Sequence, residues 1–179
     1  MKKIISLGVF VELLIFLIFF LNFDNISETF RYSARYSGRL SLIVYIYCFY
    51  VFSGEFEGNK YNKTKKVVLL FSILHLIHFI YLAFSVWLNE LPIIPFKLLG
   101  GFVAYILIII YPLLIDKIKK IIYHIIYFYY VGIVMAVTYL ARIKGEFVGA
   151  PTELFHYFGF SIVILIFILF GYKMFKKSS

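Results

Sequence analysis

The chain is short of acid and nearly empty of cysteine. Asp and Glu total nine in 179 residues against eighteen Lys and Arg, which leaves a formal charge of +9. The lone cysteine, Cys48, excludes an intramolecular disulfide and a cysteine-rich metal motif. Charged residues make up 15% of the sequence, where a soluble domain carries about a quarter. No glycine-rich phosphate loop or dinucleotide fingerprint occurs. The electrons for any redox step must therefore come from another polypeptide or a diffusible donor. No nucleophile–base pair with a triad or metal pattern is evident, which ranks a membrane hydrolase last.

What the chain does have is apolar sequence: 63% of it is hydrophobic, in long blocks, not short-period stripes. A soluble domain of ~180 residues cannot hide that much apolar surface. Six blocks approach the ~20 residues needed to cross the hydrocarbon of a bilayer. They run over about 4–23, 39–53, 67–88, 95–115, 118–141 and 154–172. The second is the shortest, with room to begin earlier in the basic stretch before it. The first, behind Lys2 and Lys3, reads as an uncleaved anchor because no small-x-small cleavage site follows it. The predicted fold is an all-α polytopic membrane protein, one six-helix transmembrane bundle over 1–179.

The basic residues flank these blocks, so the positive charge points to lipid headgroups and not to nucleic acid. With the N-terminus inside, Lys2, Lys3, Lys60, Lys63, Lys65, Lys66, Lys117, Lys119, Lys120, Lys173, Lys176 and Lys177 lie on the cytoplasmic side. Arg31, Arg35, Arg39, Lys97, Arg142 and Lys144 lie outside. Twelve against six predicts both termini in the cytoplasm. Integral insertion in a bacterial inner membrane is the expected location.

Ionisable groups inside such spans are costly and are functional candidates by default. His75 and His78 stand in Leu74-His75-Leu76-Ile77-His78-Phe79, three apart and so roughly on one helix face. His124 stands near the start of the fifth block. Two histidines on neighbouring helices are what a six-coordinate b-type haem requires; imidazoles that only hydrogen-bond between helices are the simpler alternative. At ~1.5 Å per residue, His75 lies ~12 Å and His78 ~16 Å beyond Val67, and His124 ~9 Å beyond Ile118. His75 is thus the better depth match to His124. Glu12, in Phe10-Val11-Glu12-Leu13, is a mid-span carboxyl that must be protonated or partnered. It suits a proton relay, a salt bridge to a residue such as Arg39, or a structural interhelical hydrogen bond. His156, beside the outer end of the sixth block, reads as interfacial.

The run Arg31-Tyr32-Ser33-Ala34-Arg35-Tyr36-Ser37-Gly38-Arg39 repeats every four residues. On a helix it makes a basic ridge beside a tyrosine ridge. Arginine grips carboxylate and phosphate oxygens bidentately, so Arg35 and Arg39 are candidates for haem propionates, lipid phosphates or an acidic partner.

Over roughly residues 35 to 175 the chain resembles the ferric-reductase-like transmembrane family. Its nearest likeness there is the haem-bearing membrane subunit of the bacterial periplasmic methionine sulfoxide reductase system. The likeness is carried by Ser37-Gly38-Arg39-Leu40, Lys65-Lys66, Ile77-His78-Phe79, Tyr123-His124, Val137-Thr138-Tyr139-Leu140 and Gly171-Tyr172-Lys173, in that order. Where the family carries a second fifth-helix histidine, this chain has Val137 or Thr138, so the expected partner of His78 is missing. His75, an extra histidine one turn away, could pair with His124 instead.

The resemblance implies a membrane subunit holding haem b on His78, His124 and His75, with the arginines near a propionate. It would pass electrons from a cytoplasmic flavoprotein or a quinone to a periplasmic reductase, as the electron-transfer part of an oxidoreductase. The rival expectation is a haem-free six-helix membrane protein: an assembly factor, a scaffold or a small transporter in which Glu12 and the arginine ridge do the work.

Overall fold

The computed structural model describes residues 2–52, 54–147 and 151–178. The described residues form six α-helices: α1 (Lys2–Asn22), α2 (Ile26–Val51), α3 (Gly58–Leu88), α4 (Pro95–Leu114), α5 (Ile121–Ile143) and α6 (Leu154–Ser178). Four of these, α1, α3, α5 and α6, are long and apolar enough to cross a membrane, and α4 contains a shorter apolar run, Leu98–Leu114.

α1 has the pattern of a lipid-facing helix turned inside out relative to a soluble one. Of its 21 residues, Glu12 alone is buried among those described, while Leu7, Phe10, Leu13, Leu17 and Leu21 are exposed. A carboxyl facing inward beneath a shell of exposed leucine and phenylalanine is unstable in water and natural in hydrocarbon. Extensive exposed apolar side chains on α4 and α6, such as Leu113 and Ile168, carry the same message.

α2 is longer than its apolar block. It starts at Ile26, thirteen residues before the expected Arg39. Asn25 explains the start: its Oδ1 accepts the Ser27 N–H at 2.8 Å, which satisfies one of the orphan donors of the first turn. The basic ridge is therefore helical. Ser53, where the second span was expected to end, lies outside the described residues. α3 likewise starts at Gly58 and not Val67, taking Lys60 to Lys66 into its first turns. α5 starts at Ile121 and not Ile118, because Lys117 and Ile118 donate back to the Leu114 carbonyl and prolong the end of α4.

Two helices stop by the same device with different residues. Gly145, at φ 71°, closes α5, with Glu146 N–H on the Ala141 carbonyl. Glu90, at φ 49°, closes α3, with Leu91 N–H on the Val86 carbonyl. The left-handed position suits glycine and costs any residue with a Cβ.

The chain divides into two compact units, Met1–Cys48 with Thr64–Ile93, and Phe49–Lys63 with Ile94–Ser179. In the first, α1, most of α2 and most of α3 pack through aromatic contacts of Phe16 with Phe30 and Tyr81, and of Phe19 with Tyr32 and Tyr36. Asn89 Nδ2 reaches the Ser27 carbonyl, which ties the end of α3 to the start of α2. In the second, Phe49, Phe128, Tyr129 and Phe170 form the core. Lys173 donates to the Tyr50 and Phe52 carbonyls, and Tyr61 donates to the Ile115 carbonyl. These bonds gather the ends of α2, α4 and α6 with the start of α3.

Candidate functional site

The polar interior of the first unit is built by one face of α2. Thr29, Ser33, Ser37 and Ser41 recur every four residues and all four are fully buried. Four-residue spacing stacks side chains on one helix face, so the four hydroxyls make a single row. Glu12 stands at the middle of α1, ten residues from either end, or ~15 Å along the axis each way. The Ser37 hydroxyl lies within interaction range of its carboxyl. Neither Glu12 oxygen, nor the Ser33 or Ser37 hydroxyl, completes a hydrogen bond among the described residues.

The row continues onto α3. The Ser41 hydroxyl and Nδ1 of His75 are hydrogen-bonded at 2.6 Å. The rings of His75 and His78 are 5.4 Å apart, so the same-face pair expected from the spacing is present. His78 lies flat enough on α2 that a Cβ at Gly38 would come 3.0 Å from its Cε1; glycine is what lets the imidazole rest against the backbone. Tyr81 closes this side, donating to the backbone carbonyl of Glu12 at 3.2 Å. The buried Glu12, Ser37 and Ser41 and the half-buried His75 and His78 thus belong to one polar cluster in a mostly apolar unit.

His124 belongs to the second unit, where both of its ring nitrogens are engaged. Nδ1 is 2.5 Å from the Tyr111 hydroxyl and Nε2 is 3.1 Å from the Ile118 carbonyl. The rings of Phe52 and Phe56 flank it. The arginine ridge makes local contacts: Arg31 pairs with Glu28 at 3.0 Å, Arg35 lies over Tyr32 and Arg39 over Tyr36. His156 accepts the Glu153 N–H on Nδ1, so it caps the start of α6. Val137 is exposed, and Thr138 bonds its own helix at the Val134 carbonyl.

A six-coordinate haem needs two imidazoles on opposite faces of the porphyrin, each with a ring nitrogen for iron. His75 and His78 share a helix face three residues, ~4.5 Å of rise, apart, and cannot take opposite faces. His124, as bonded here, offers iron no ring nitrogen. No group of three or more His, Cys, Asp or Glu with metal-holding geometry occurs among the described residues. To ligate iron, His124 would have to release one of its two hydrogen bonds.

Sequence reasoning singled out Glu12 and the histidines but missed the serine row. The signal was in the four-residue repeat, whose arginine and tyrosine ridges drew attention from its third, hydroxyl ridge. Comparison of the chain with protein-family models, with curated proteins and with solved structures finds no match.

Proposed function

We propose that this chain is a haem-free integral membrane protein that carries protons along the buried row of its first unit. One observation bears the weight: a mid-helix carboxyl, fully buried, has neither oxygen hydrogen-bonded among the described residues and stands beside Ser37, whose hydroxyl is in the same state. A buried polar group left without a partner costs about 1–3 kcal/mol. Such oxygens are retained when water or a mobile proton satisfies them.

The residue types suit proton passage. Hydroxyl, carboxyl and imidazole each both donate and accept as their protonation or rotation changes. Successive hydroxyls of the row are separated by a rise of ~6 Å, too far for a direct hydrogen bond and suited to one bridging water each. Thr29, Ser33, Ser37 and Ser41 then form a half-path from the N-terminal end of α2 to His75. Glu12 takes up and releases the proton midway. The charge asymmetry of the sequence supports six crossings with both ends inside, which puts the mouth of this path on the outer face.

Purified protein in liposomes containing a pH-sensitive dye tests this. Under a potassium diffusion potential, the wild type should acidify or alkalinise the lumen faster than protein-free vesicles do, and Glu12→Gln should return the rate to that baseline. Equal rates in wild type and Glu12→Gln would overturn the reading. A Soret band that shifts on dithionite reduction, in protein expressed with haem supplied, would restore the electron-transfer reading with His75, His78 and His124 as ligands.

A further inference from the structure

The second unit holds an arrangement that the proton path does not use. Tyr111, in α4, and His124, in the first turn of α5, are both buried, at 4% and 0% exposure. A carbonyl oxygen can only accept, so the Nε2–H of His124 donates to Ile118. The neutral ring is thereby held in one tautomer, with Nδ1 as the acceptor, and the Tyr111 O–H donates to it across 2.5 Å. The phenolic proton has an aligned acceptor in a buried site.

We propose that Tyr111 is a redox-active tyrosine with His124 as its proton acceptor. A one-electron oxidant, of the class of trivalent ruthenium or iron polypyridyl complexes or a high-potential metal centre of a partner, removes one electron from the phenol. The O–H bond breaks and an N–H bond forms at Nδ1. The products are a neutral tyrosyl radical, an imidazolium and the oxidant reduced by one electron. Re-reduction of the radical by one electron returns the proton to the phenolic oxygen.

The surroundings favour the charge this step creates. The imidazolium keeps its Nε2–H on the Ile118 carbonyl, a bond that strengthens when the donor is charged. The Phe52 and Phe56 ring centroids lie 5.6 and 5.3 Å from that of His124, within the range of cation–π attraction. α4 ends at Leu114, close in sequence to Ile118, and a helix C-terminus favours positive charge. On the other side, the Tyr127 ring stacks on Tyr111 with centroids 3.6 Å apart and planes 10° from parallel. A second phenol in such contact offers the electron vacancy a next site.

The test uses the full chain in detergent, oxidised by flash-generated tris(bipyridine)ruthenium(III) with persulfate as electron sink, then freeze-trapped for electron paramagnetic resonance. The expected result is a tyrosyl signal that is largely lost in Tyr111→Phe and retained in Tyr157→Phe, which alters an exposed ring. In His124→Gln, the radical should form more slowly and lose the solvent deuterium isotope effect seen in the wild type. An undiminished signal in Tyr111→Phe, or an unchanged rate and isotope effect in His124→Gln, would overturn the proposal. Wild-type protein labelled with nitrogen-15 histidine gives a measurement free of folding effects. The radical should show hyperfine coupling to imidazole nitrogen, and its absence would refute the pair.

Discussion

Gly38 gives the sharpest test of how the first unit is packed. An alanine there would place its Cβ 3.0 Å from Cε1 of His78, 3.4 Å from Nδ1 and 3.5 Å from Nε2. The imidazole must therefore shift by a few tenths of an ångström. Overpacking of this kind costs about 1–3 kcal/mol. Against it stands the gain of roughly 0.5–1 kcal/mol from replacing glycine by alanine inside a helix. The expected net result is a loss of stability of up to ~2.5 kcal/mol, from those two terms. Gly101, inside α4, supplies the control because nothing lies within 4 Å of a Cβ built there. Gly101→Ala should therefore stabilise by the helix term alone. The difference between the two variants isolates the imidazole contact, since the backbone term is common to both. Unfolding of the detergent-solubilised protein by increasing mole fraction of sodium dodecyl sulfate, followed by circular dichroism, measures both. Equal stabilisation by the two substitutions would refute the close approach of His78 to α2, and with it the geometry of the proton path.

Two further predictions concern the helix ends and use the same assay. Glu90→Gly should stabilise by about 1 kcal/mol, because Glu90 holds a left-handed backbone at φ 49° that disfavours any residue with a Cβ. Asn25→Ala should destabilise by about 1 kcal/mol through loss of the cap on Ser27. An unchanged midpoint in Asn25→Ala would mean that α2 begins elsewhere.

How much of this was legible in the sequence depends on the range of the interactions involved. Apolar runs of span length made α1 and α6 plain, because burial in hydrocarbon needs only a local count of residues. The start of α2 was displaced by thirteen residues because hydropathy rises only near Leu40, whereas the helix is set by the Asn25 cap and continued by residues that face inward with hydroxyls. Hydropathy scores serine and arginine alike as loop-like and so cannot see a polar helix face. The pairing of His75 with His78 was legible because it is set by helix geometry alone. The pairings of Ser41 with His75 and of Tyr111 with His124 were not. Each joins separate helices, and no local pattern states which hydroxyl will face which ring.

The bonding of His124 also decides between the readings, because they compete for the same atoms. Its Nε2–H serves the Ile118 carbonyl and its Nδ1 serves the Tyr111 hydroxyl. For iron to take Nδ1, the Tyr111 phenol must lose its acceptor, and a buried hydroxyl without one costs about 1–3 kcal/mol. For iron to take Nε2, the tautomer must change: the proton moves to Nδ1, Tyr111 must turn its hydrogen away, and the Ile118 carbonyl loses its donor. An iron–nitrogen bond is strong enough to offset either loss, so hydrogen bonding alone does not forbid a haem. It does forbid haem ligation and tyrosine oxidation from sharing Nδ1. A preparation that shows a haem spectrum assigned to Nδ1 of His124 must lack the nitrogen-coupled tyrosyl radical, and a haem-free preparation must be able to form it. Finding both on the same ring nitrogen would contradict the chemistry of a single lone pair.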